Sequence, residues 1–317
     1  MRAAVFAGPG ILRLEDTPLP QPGPGELRLR LSGCGVCASN LPVWEGRPWF
    51  DYPLEPGAPG HEGWGVVDAV GAGVTEIEAG DRVAALSYRA YAECDIAPAD
   101  AVVRLPASLA DQPFPGEPLG CAMNVFARSG VGAGQTVAVV GIGFLGALLV
   151  QLAVGAGARV IAITRRPFAL ELARQLGAAE TVVMDDHWRI IERVKALTGG
   201  EGCERVIEAV GAQWPLDLAA ELCRVRGRLV IAGYHQDGPR QVNMQLWNWR
   251  GLDVVSAHER EPEVYLRGML EAVEAVRTGR LDPAPLYTHT LPLDRLDQAL
   301  ELSRERPEGF FKALVSL

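Results

Sequence analysis

The sequence is poor in cysteine and has no long uninterrupted apolar run. Six cysteines in 317 residues are too few for a disulfide framework and are more typical of core positions or metal ligands in a reducing compartment. The N-terminal segment becomes charged within the length of one strand, so it does not resemble a signal peptide. The longest apolar stretch, 136–156, is interrupted by Gly141, Gly143 and Gly146 and predicts no membrane span. We therefore expect a cytoplasmic protein with no membrane partner.

Basic residues are fewer than acidic residues. Lysine and arginine total 30 against 39 aspartates and glutamates, which gives a formal net charge of -9. A nucleic-acid surface needs a basic footprint, so this balance argues against nucleic acid as a partner. The hydrophobic fraction of 48% and charged fraction of 22% are typical of a globular protein, and 317 residues suffice for about two domains.

The first hundred residues are rich in glycine and proline, with short alternating or apolar runs between the turns. These runs are 27–31, 65–70, 82–86 and 101–105. Short strands separated by turn residues predict an all-β or barrel-like module.

From residue 136 onward, apolar strands alternate with helical patterns. The predicted strands are 136–140, 159–164, 181–183, 205–208 and 227–231, with a final helix near 265–278. This alternation is typical of a parallel sheet covered on both faces. We expect two domains with a cleft between them, one formed by residues 1–121 and 259–317 and the other by residues 122–258.

A glycine-rich segment, GIGFLG at 141–146, follows the first of these strands and precedes an apolar helix. It fits the G-x-G-x-x-G pattern, in which glycines allow a tight turn and close approach of the backbone to a pyrophosphate at a helix N-terminus. Glycines in an apolar stretch also serve simple close packing. The context favours dinucleotide binding, and the predicted cofactor residues are Gly141, Gly143, Phe144, Leu145 and Gly146.

The end of the second strand bears on the choice of dinucleotide. NAD sites usually place a carboxylate there for the ribose 2′-hydroxyl, but this strand ends in Thr164, Arg165 and Arg166. Guanidinium groups make charge-assisted bonds to phosphate. A solvated surface arginine pair is the alternative. The sequence favours NADP(H) over NAD(H).

Several possible metal ligands are spread over the first 120 residues. Cys34 and Cys37 form a C-x-x-C without a second such pair, so a self-contained zinc knuckle is not expected. His61 and Glu62 precede a predicted strand, and Glu117 lies near the expected domain junction. Taken singly, each is more often structural. Together they suit an open catalytic zinc, which needs three protein ligands and a free position.

Five motifs occur in the order found in the zinc-containing medium-chain dehydrogenases, which the chain resembles over nearly its whole length. They are GCGVCASN (33–40), GHEGWG (60–65), GDRV (80–83), EPL (117–119) and GIGFLG (141–146). The EPL segment most resembles the polyol, glucose and threonine dehydrogenase branch. The resemblance implies an α/β protein with a β-rich GroES-like catalytic domain and a doubly wound Rossmann cofactor domain.

The resemblance also implies the ligand set. Cys37 and His61 would bind zinc, and Glu62 and Glu117 would be carboxylate ligands, either directly or through water. Because Pro118 disfavours a helical conformation of the residue before it, we expect Glu117 to be extended rather than inside a helix.

The remaining motif positions refine this expectation. Ser39 matches the hydroxyl that takes the alcohol's proton, Cys34 is expected to be a buried thiol, and Cys121 is an alternative ligand. Asn40 replaces the usual acid, and Pro42 lies where many members carry a proton-relaying histidine. The four-cysteine lobe of a structural zinc is missing, so one zinc per chain is expected.

The sequence thus predicts a zinc-dependent oxidoreductase that transfers hydride between NADP(H) or NAD(H) and an alcohol or polyol, or the corresponding aldehyde or ketone. The rival interpretations are a zinc-independent enone or quinone reductase of the same superfamily and a non-catalytic dinucleotide-binding protein. The family is usually dimeric or tetrameric, so we expect a homodimer or homotetramer, with the segment 252–257 as a candidate for pairing sheet edges between subunits.

Overall fold

A computed structural model describes all residues, 1–317, and it divides the chain into two compact units. The first unit comprises Met1–Gly120, Glu261–Arg277 and Ala284–Leu317, and the second comprises Cys121–Arg260 and Thr278–Pro283. None of the helices combines the length and the apolar character needed to cross a membrane.

The N-terminal part of the first unit is built mainly from strands. They are β1 (Arg2–Gly8), β2 (Ile11–Asp16), β3 (Glu26–Gly35), β4 (Gly63–Val70), β5 (Arg82–Ala85), β6 (Cys94–Pro98) and β7 (Val102–Arg104), with one short helix, α1 (Leu41–Glu45). In β3, apolar side chains at every second position are buried, which is the period-two pattern that a one-sided sheet requires.

The C-terminal part of the chain completes this unit. It supplies α8 (Pro262–Arg277), β14 (Tyr287–Pro292), α9 (Leu296–Glu305) and β15 (Lys312–Ser316). Strand β15 pairs antiparallel with the end of β3, so the seven-stranded sheet runs β14-β15-β3-β4-β5-β7, with β6 also on β3. The last strand therefore lies beside the segment that leads into the cysteine motif.

The second unit is the expected alternation of strands and helices. Its elements are the C-terminal part of α2 (Gly116–Ser129), β8 (Thr136–Val140), α3 (Phe144–Gly155), β9 (Arg159–Thr164), α4 (Pro167–Gln175), β10 (Glu180–Val183), α5 (His187–Leu197), β11 (Cys203–Glu208), α6 (Gln213–Leu222), β12 (Cys223–Ile231), α7 (Met244–Arg250) and β13 (Asp253–Ser256). The six strands are parallel in the order β10-β9-β8-β11-β12-β13. This is the doubly wound α/β arrangement, and it confirms the fold class expected from the sequence.

One short segment lies in a different unit from the one the sequence suggested. Thr278–Pro283 belongs to the second unit, although in sequence it interrupts the C-terminal part of the first. The Gln151 side chain donates to the Asp282 carbonyl and accepts from the Asp282 N–H, both at 2.8 Å. A pairing between residues so far apart in sequence leaves no local pattern.

Candidate active site

Three metal-ligand side chains meet where two neighbouring strands approach each other. The ligand atoms of Cys37, His61 and Glu62 all lie within 4.8 Å of one another. Cys37 follows β3 by two residues, and the His61–Glu62 pair immediately precedes β4. In the antiparallel register Cys34 pairs with Gly63, so the end of one strand and the start of the next bring the three residues together. We call these three residues the metal group.

The His61 ring is oriented by a backbone carbonyl. Its Nδ1 lies 3.0 Å from the Pro59 oxygen, and because a carbonyl can only accept, Nδ1 carries a hydrogen and Nε2 is left to bind a metal. The same carbonyl accepts from the Asn40 amide at 3.3 Å, and the Tyr91 hydroxyl donates to the Asn40 oxygen at 2.8 Å. Asn40 is thus anchored by neutral partners.

Neighbouring groups favour the charged form of the His61 imidazole. Burial lowers its pKa, but the hydrogen bond and charge of Cys37 oppose that effect. The charges of Glu117 and Glu62 add to this, and the pKa is raised to about 10. A metal that takes the place of the imidazole proton would meet an environment already arranged for positive charge.

Glu62 is paired with a lysine that the sequence analysis missed. Both side chains are buried, and Lys312 Nζ donates to Glu62 Oε1 at 2.6 Å and lies 2.6 Å from Oε2. The second oxygen receives no aligned hydrogen bond from any protein group. A side chain on Gly35 would place a Cβ 1.8 Å from it, so only glycine leaves room for this carboxylate.

Lys312 keeps its charge in this buried position. Burial lowers the pKa of its ammonium group, but the charges of Glu62 and Cys37 outweigh that effect and raise the pKa. The sequence signal was a single lysine before the apolar run Ala-Leu-Val in the C-terminal strand β15, KALVS. An unpaired charge in such a strand would be costly, which is the physical reason to look for a partner.

The metal group fits a zinc ion in its donor chemistry. Thiolate, imidazole and carboxylate are the ligand types of catalytic zinc sites, which use three protein ligands. Cys34 is fully buried, as expected of a core thiol, and burial raises its pKa well above the ordinary range. Cys121, the alternative ligand, is not a member of the group.

Glu117 does not adopt the conformation expected from the sequence. It lies in the first turn of α2 rather than in an extended segment. Proline is tolerated in a first turn, where its missing N–H has no helical acceptor, and an acidic side chain is stabilised there by the helix dipole. These effects outweigh the bias imposed by Pro118. Glu117 is not a member of the metal group, and its Oε1 accepts from the Tyr265 hydroxyl at 2.7 Å.

Ser39 lies in the short helical turn Ala38–Asn40 that directly follows Cys37, and its side chain is half-buried. Pro42 is buried in α1. Ser39 is thus two residues beyond Cys37, and Pro42 offers no titratable side chain for a proton relay.

The glycine-rich segment forms the turn between β8 and α3. Gly141 has φ of +97°, a conformation that other residues rarely adopt. A Cβ on Gly146 would lie 2.0 Å from the Gly141 oxygen, whereas one on Gly143 would meet no atom within 4 Å. Gly143 caps the helix that begins at Phe144 and continues through Leu145. The turn thus presents backbone N–H groups and an open face at a helix N-terminus, as a pyrophosphate site requires.

The two arginines after β9 differ in their contacts. Arg165 is exposed, and Thr164, the last residue of the strand, is buried. Arg166 donates from Nη2 to the Ile142 carbonyl at 2.8 Å, and its guanidinium lies 4.9 Å from the centroid of the Phe168 ring. Arg166 therefore lies against the glycine-rich turn, and Arg165 extends from the same end of the strand.

A second polar cluster, with the buried Glu208 at its centre, lies at the carboxyl ends of β11 and β12. Glu208 accepts from the N–H groups of Val210 and Gly211, at 2.7 and 2.8 Å, and its other oxygen lies 3.1 Å from His235 Nε2. Arg240 donates to His235 Nδ1 at 2.9 Å, which fixes the hydrogen of a neutral imidazole on Nε2. No motif in the sequence analysis indicated this cluster, which anchors two loops at the edge where dinucleotides bind in doubly wound sheets.

Family models match both units of the chain. The alcohol dehydrogenase GroES-like domain matches residues 23–107, and the zinc-binding dehydrogenase model matches residues 145–275. Together they match more than half of the chain.

Individual proteins agree with this assignment. Sorbitol dehydrogenase of Gallus gallus is 29% identical over 97% of this chain and 94% of its own length. A Sinorhizobium meliloti protein assigned as a zinc-binding dehydrogenase and solved with NADP superposes with a TM-score of 0.86 at 26% identity, covering 100% of this chain and 99% of its own. A mycobacterial quinone oxidoreductase gives a TM-score of 0.84 at 27% identity and covers both chains completely. With the metal group and the glycine-rich turn, these matches show that the chain belongs to the zinc-type medium-chain dehydrogenase/reductase family.

Proposed function

We propose that this protein is a zinc-dependent oxidoreductase that transfers hydride between NADP(H) and an alcohol or polyol, or the corresponding aldehyde or ketone. The observation that carries the proposal is the convergence of Cys37, His61 and Glu62 within 4.8 Å. An enzyme of this class without a metal has no need for a thiol, an imidazole and a buried carboxylate held together.

When bound, zinc supplies a Lewis acid for the substrate oxygen, and the nicotinamide supplies the hydride acceptor or donor. Cys37 and His61 are the proposed direct ligands, and Glu62 is a ligand either directly or through water. Lys312 offsets the charge of Glu62 and holds it in place. Ser39 would relay the hydroxyl proton of the alcohol by releasing its own hydroxyl proton as it gains the new one. Because Pro42 has no titratable group, the rest of the relay must use other groups.

Cofactor choice follows from the end of β9. No carboxylate is available there to bind a ribose 2′-hydroxyl, and two guanidinium groups replace it. We propose that Arg165 and Arg166 hold the 2′-phosphate of NADP(H), with Gly141, Gly143 and Gly146 forming the pyrophosphate turn. NAD(H) is expected to bind more weakly at the same site.

The second candidate function is a zinc-independent quinone reductase, which the similarity to the mycobacterial quinone oxidoreductase favours. The two functions separate in one assay. Alcohols, polyols, hydroxy-amino acids, enones and quinones are offered with each cofactor, before and after removal of metal by a chelator. Zinc-dependent oxidation of an alcohol or polyol supports the proposal, and metal-independent quinone reduction contradicts it.

The assembly is proposed to be a homodimer or homotetramer. Strand β13 is an edge of the six-stranded sheet, and an edge strand presents unpaired backbone groups to a second copy.

A further inference from the structure

Within the first unit, the first turn of α2 packs closely against α8. A Cβ on Gly120 in α2 would lie 2.7 Å from Met269 Cγ and 2.9 Å from the Met269 backbone nitrogen in α8. Only glycine at this position lets the two backbones approach so nearly. Tyr265 precedes Met269 by one turn, and Glu117 precedes Gly120 by almost one turn, so the close contact brings these two side chains together.

The resulting hydrogen bond has a defined direction. The Tyr265 hydroxyl lies 2.7 Å from Glu117 Oε1, a distance typical of a hydroxyl that donates to a carboxylate. Both residues are only half-buried, so water could solvate the hydroxyl and the carboxylate without this hydrogen bond. The charge of Glu117 raises the pKa of both His61 and Lys312, so this carboxylate acts electrostatically on one residue of the metal group and on the partner of another, although it is not part of the group.

We propose that Tyr265 is a positioning residue that holds Glu117 beside the metal group and competes with the metal for its carboxylate. This inference rests on the zinc site proposed above. Glu117 must give up the hydroxyl at Oε1, or turn its other oxygen, before it contacts a metal ion. Tyr265 therefore sets how readily Glu117 assists the exchange of ligands at the metal.

A purely structural role for Tyr265 makes a different prediction. If its hydroxyl only joined α8 to α2, its removal would alter stability and would affect metal retention equally whether or not residue 117 is a carboxylate. If it restrains Glu117, its removal changes metal retention only when the carboxylate is present. A double-mutant cycle separates these cases.

The experiment measures the rate of zinc release to a chromophoric chelator for the wild type, Tyr265→Phe, Glu117→Gln and the double variant. We expect Tyr265→Phe to slow zinc release about tenfold, the factor associated with a hydrogen bond to a charged group, because Glu117 then no longer has to break that hydrogen bond to contact the metal. In the Glu117→Gln background the same change should have no effect. Tyr52→Phe is the matched control, since the Tyr52 hydroxyl donates to the Val43 carbonyl in the same unit.

Either of two results overturns the inference. One is a Tyr265→Phe rate equal to that of the wild type, and the other is an equal change in both backgrounds. Tyr265→Leu, which also lacks the hydroxyl, repeats the test if the first variant folds poorly. A wild-type protein without zinc would remove the proposed function and this inference together, whereas normal zinc content with an uncoupled cycle would remove this inference alone.

Discussion

At the scale of single residues, the buried pair of Glu62 and Lys312 is the feature that sequence motifs revealed least. The two residues are 250 positions apart, and only one of them belongs to a recognisable motif. A buried ion pair is weak evidence for stability in itself, but removing one partner leaves an uncompensated charge in a medium of low polarity. The pair therefore makes a sharp prediction.

Lys312→Met should destabilise the protein by about 3–5 kcal/mol, because Glu62 is left buried without its cation. Urea denaturation monitored by circular dichroism measures the change in the free energy of unfolding. The chain has one other lysine, Lys195, which is exposed, and Lys195→Met is the matched control. If the two variants lose the same stability, the pair does not have the role described.

The raised pKa of His61 predicts how zinc binding depends on pH. In the metal-free protein the imidazole is protonated below its pKa of about 10, and a metal needs it neutral. Each zinc bound at pH 8 should therefore displace at least one proton. The apparent affinity should rise with pH and lose this dependence above about pH 10.

Calorimetric titration of the metal-free protein in buffers of different ionisation enthalpy counts the displaced protons. A His61→Ala variant provides the comparison. A titration in which zinc binds the wild type at pH 8 with no proton displaced would contradict the assignment of His61.

A Glu117→Gln variant distinguishes a role of Glu117 at the metal from a role as a charge at the start of α2. Glu117→Gln should lower turnover at least about tenfold, the loss typical of damaged support around a metal site, and zinc should be lost to a chelator sooner. Its position in the first turn of α2 adds a loss of stability within about 1 kcal/mol through the helix dipole. Turnover and metal retention near those of the wild type, with only the stability change, would leave Glu117 as a helix-start charge.

At the scale of secondary-structure elements, the sequence was most informative where pattern and chemistry are local. The predicted strands 136–140 and 159–164 coincide with β8 and β9, because a continuous apolar run shortly after a glycine is typical of a buried strand. The helical first turn at Glu117 was not predicted, because a dipeptide preference before proline competes with helix capping and packing that only the folded chain supplies. The Glu208 cluster was missed for a related reason, since its members come from separate loops.

The turn between β9 and α4 carries the cofactor prediction. Replacing Arg165 and Arg166 by alanine should weaken NADP(H) binding roughly ten- to a hundredfold and NAD(H) binding far less, because only NADP(H) has a 2′-phosphate. Quenching of intrinsic fluorescence by each cofactor gives both dissociation constants. The exposed pair Arg189 and Arg193 on α5 is a control for loss of positive charge. Equal affinities of the wild type for the two cofactors would refute the assignment.

At the scale of the whole molecule, the chain combines a β-rich unit that contains the metal group with a doubly wound unit that contains the dinucleotide turn. The order of the motifs indicated both, and the ends of β3 and β4 explain why residues 24 or more positions apart in sequence meet at the metal group. No sequence motif indicates the substrate in a comparable way. It depends on side chains that line the substrate's path, and no fixed spacing relates those side chains to one another.

The zinc content of the purified protein, measured together with activity, tests the central claim most directly. We predict one zinc per chain, loss of alcohol or polyol oxidation when a chelator removes it, and recovery when zinc is restored. Cys37→Ser should lose zinc and activity but keep cofactor binding, because the dinucleotide turn belongs to the other unit. A metal-free protein that remains fully active would contradict the account.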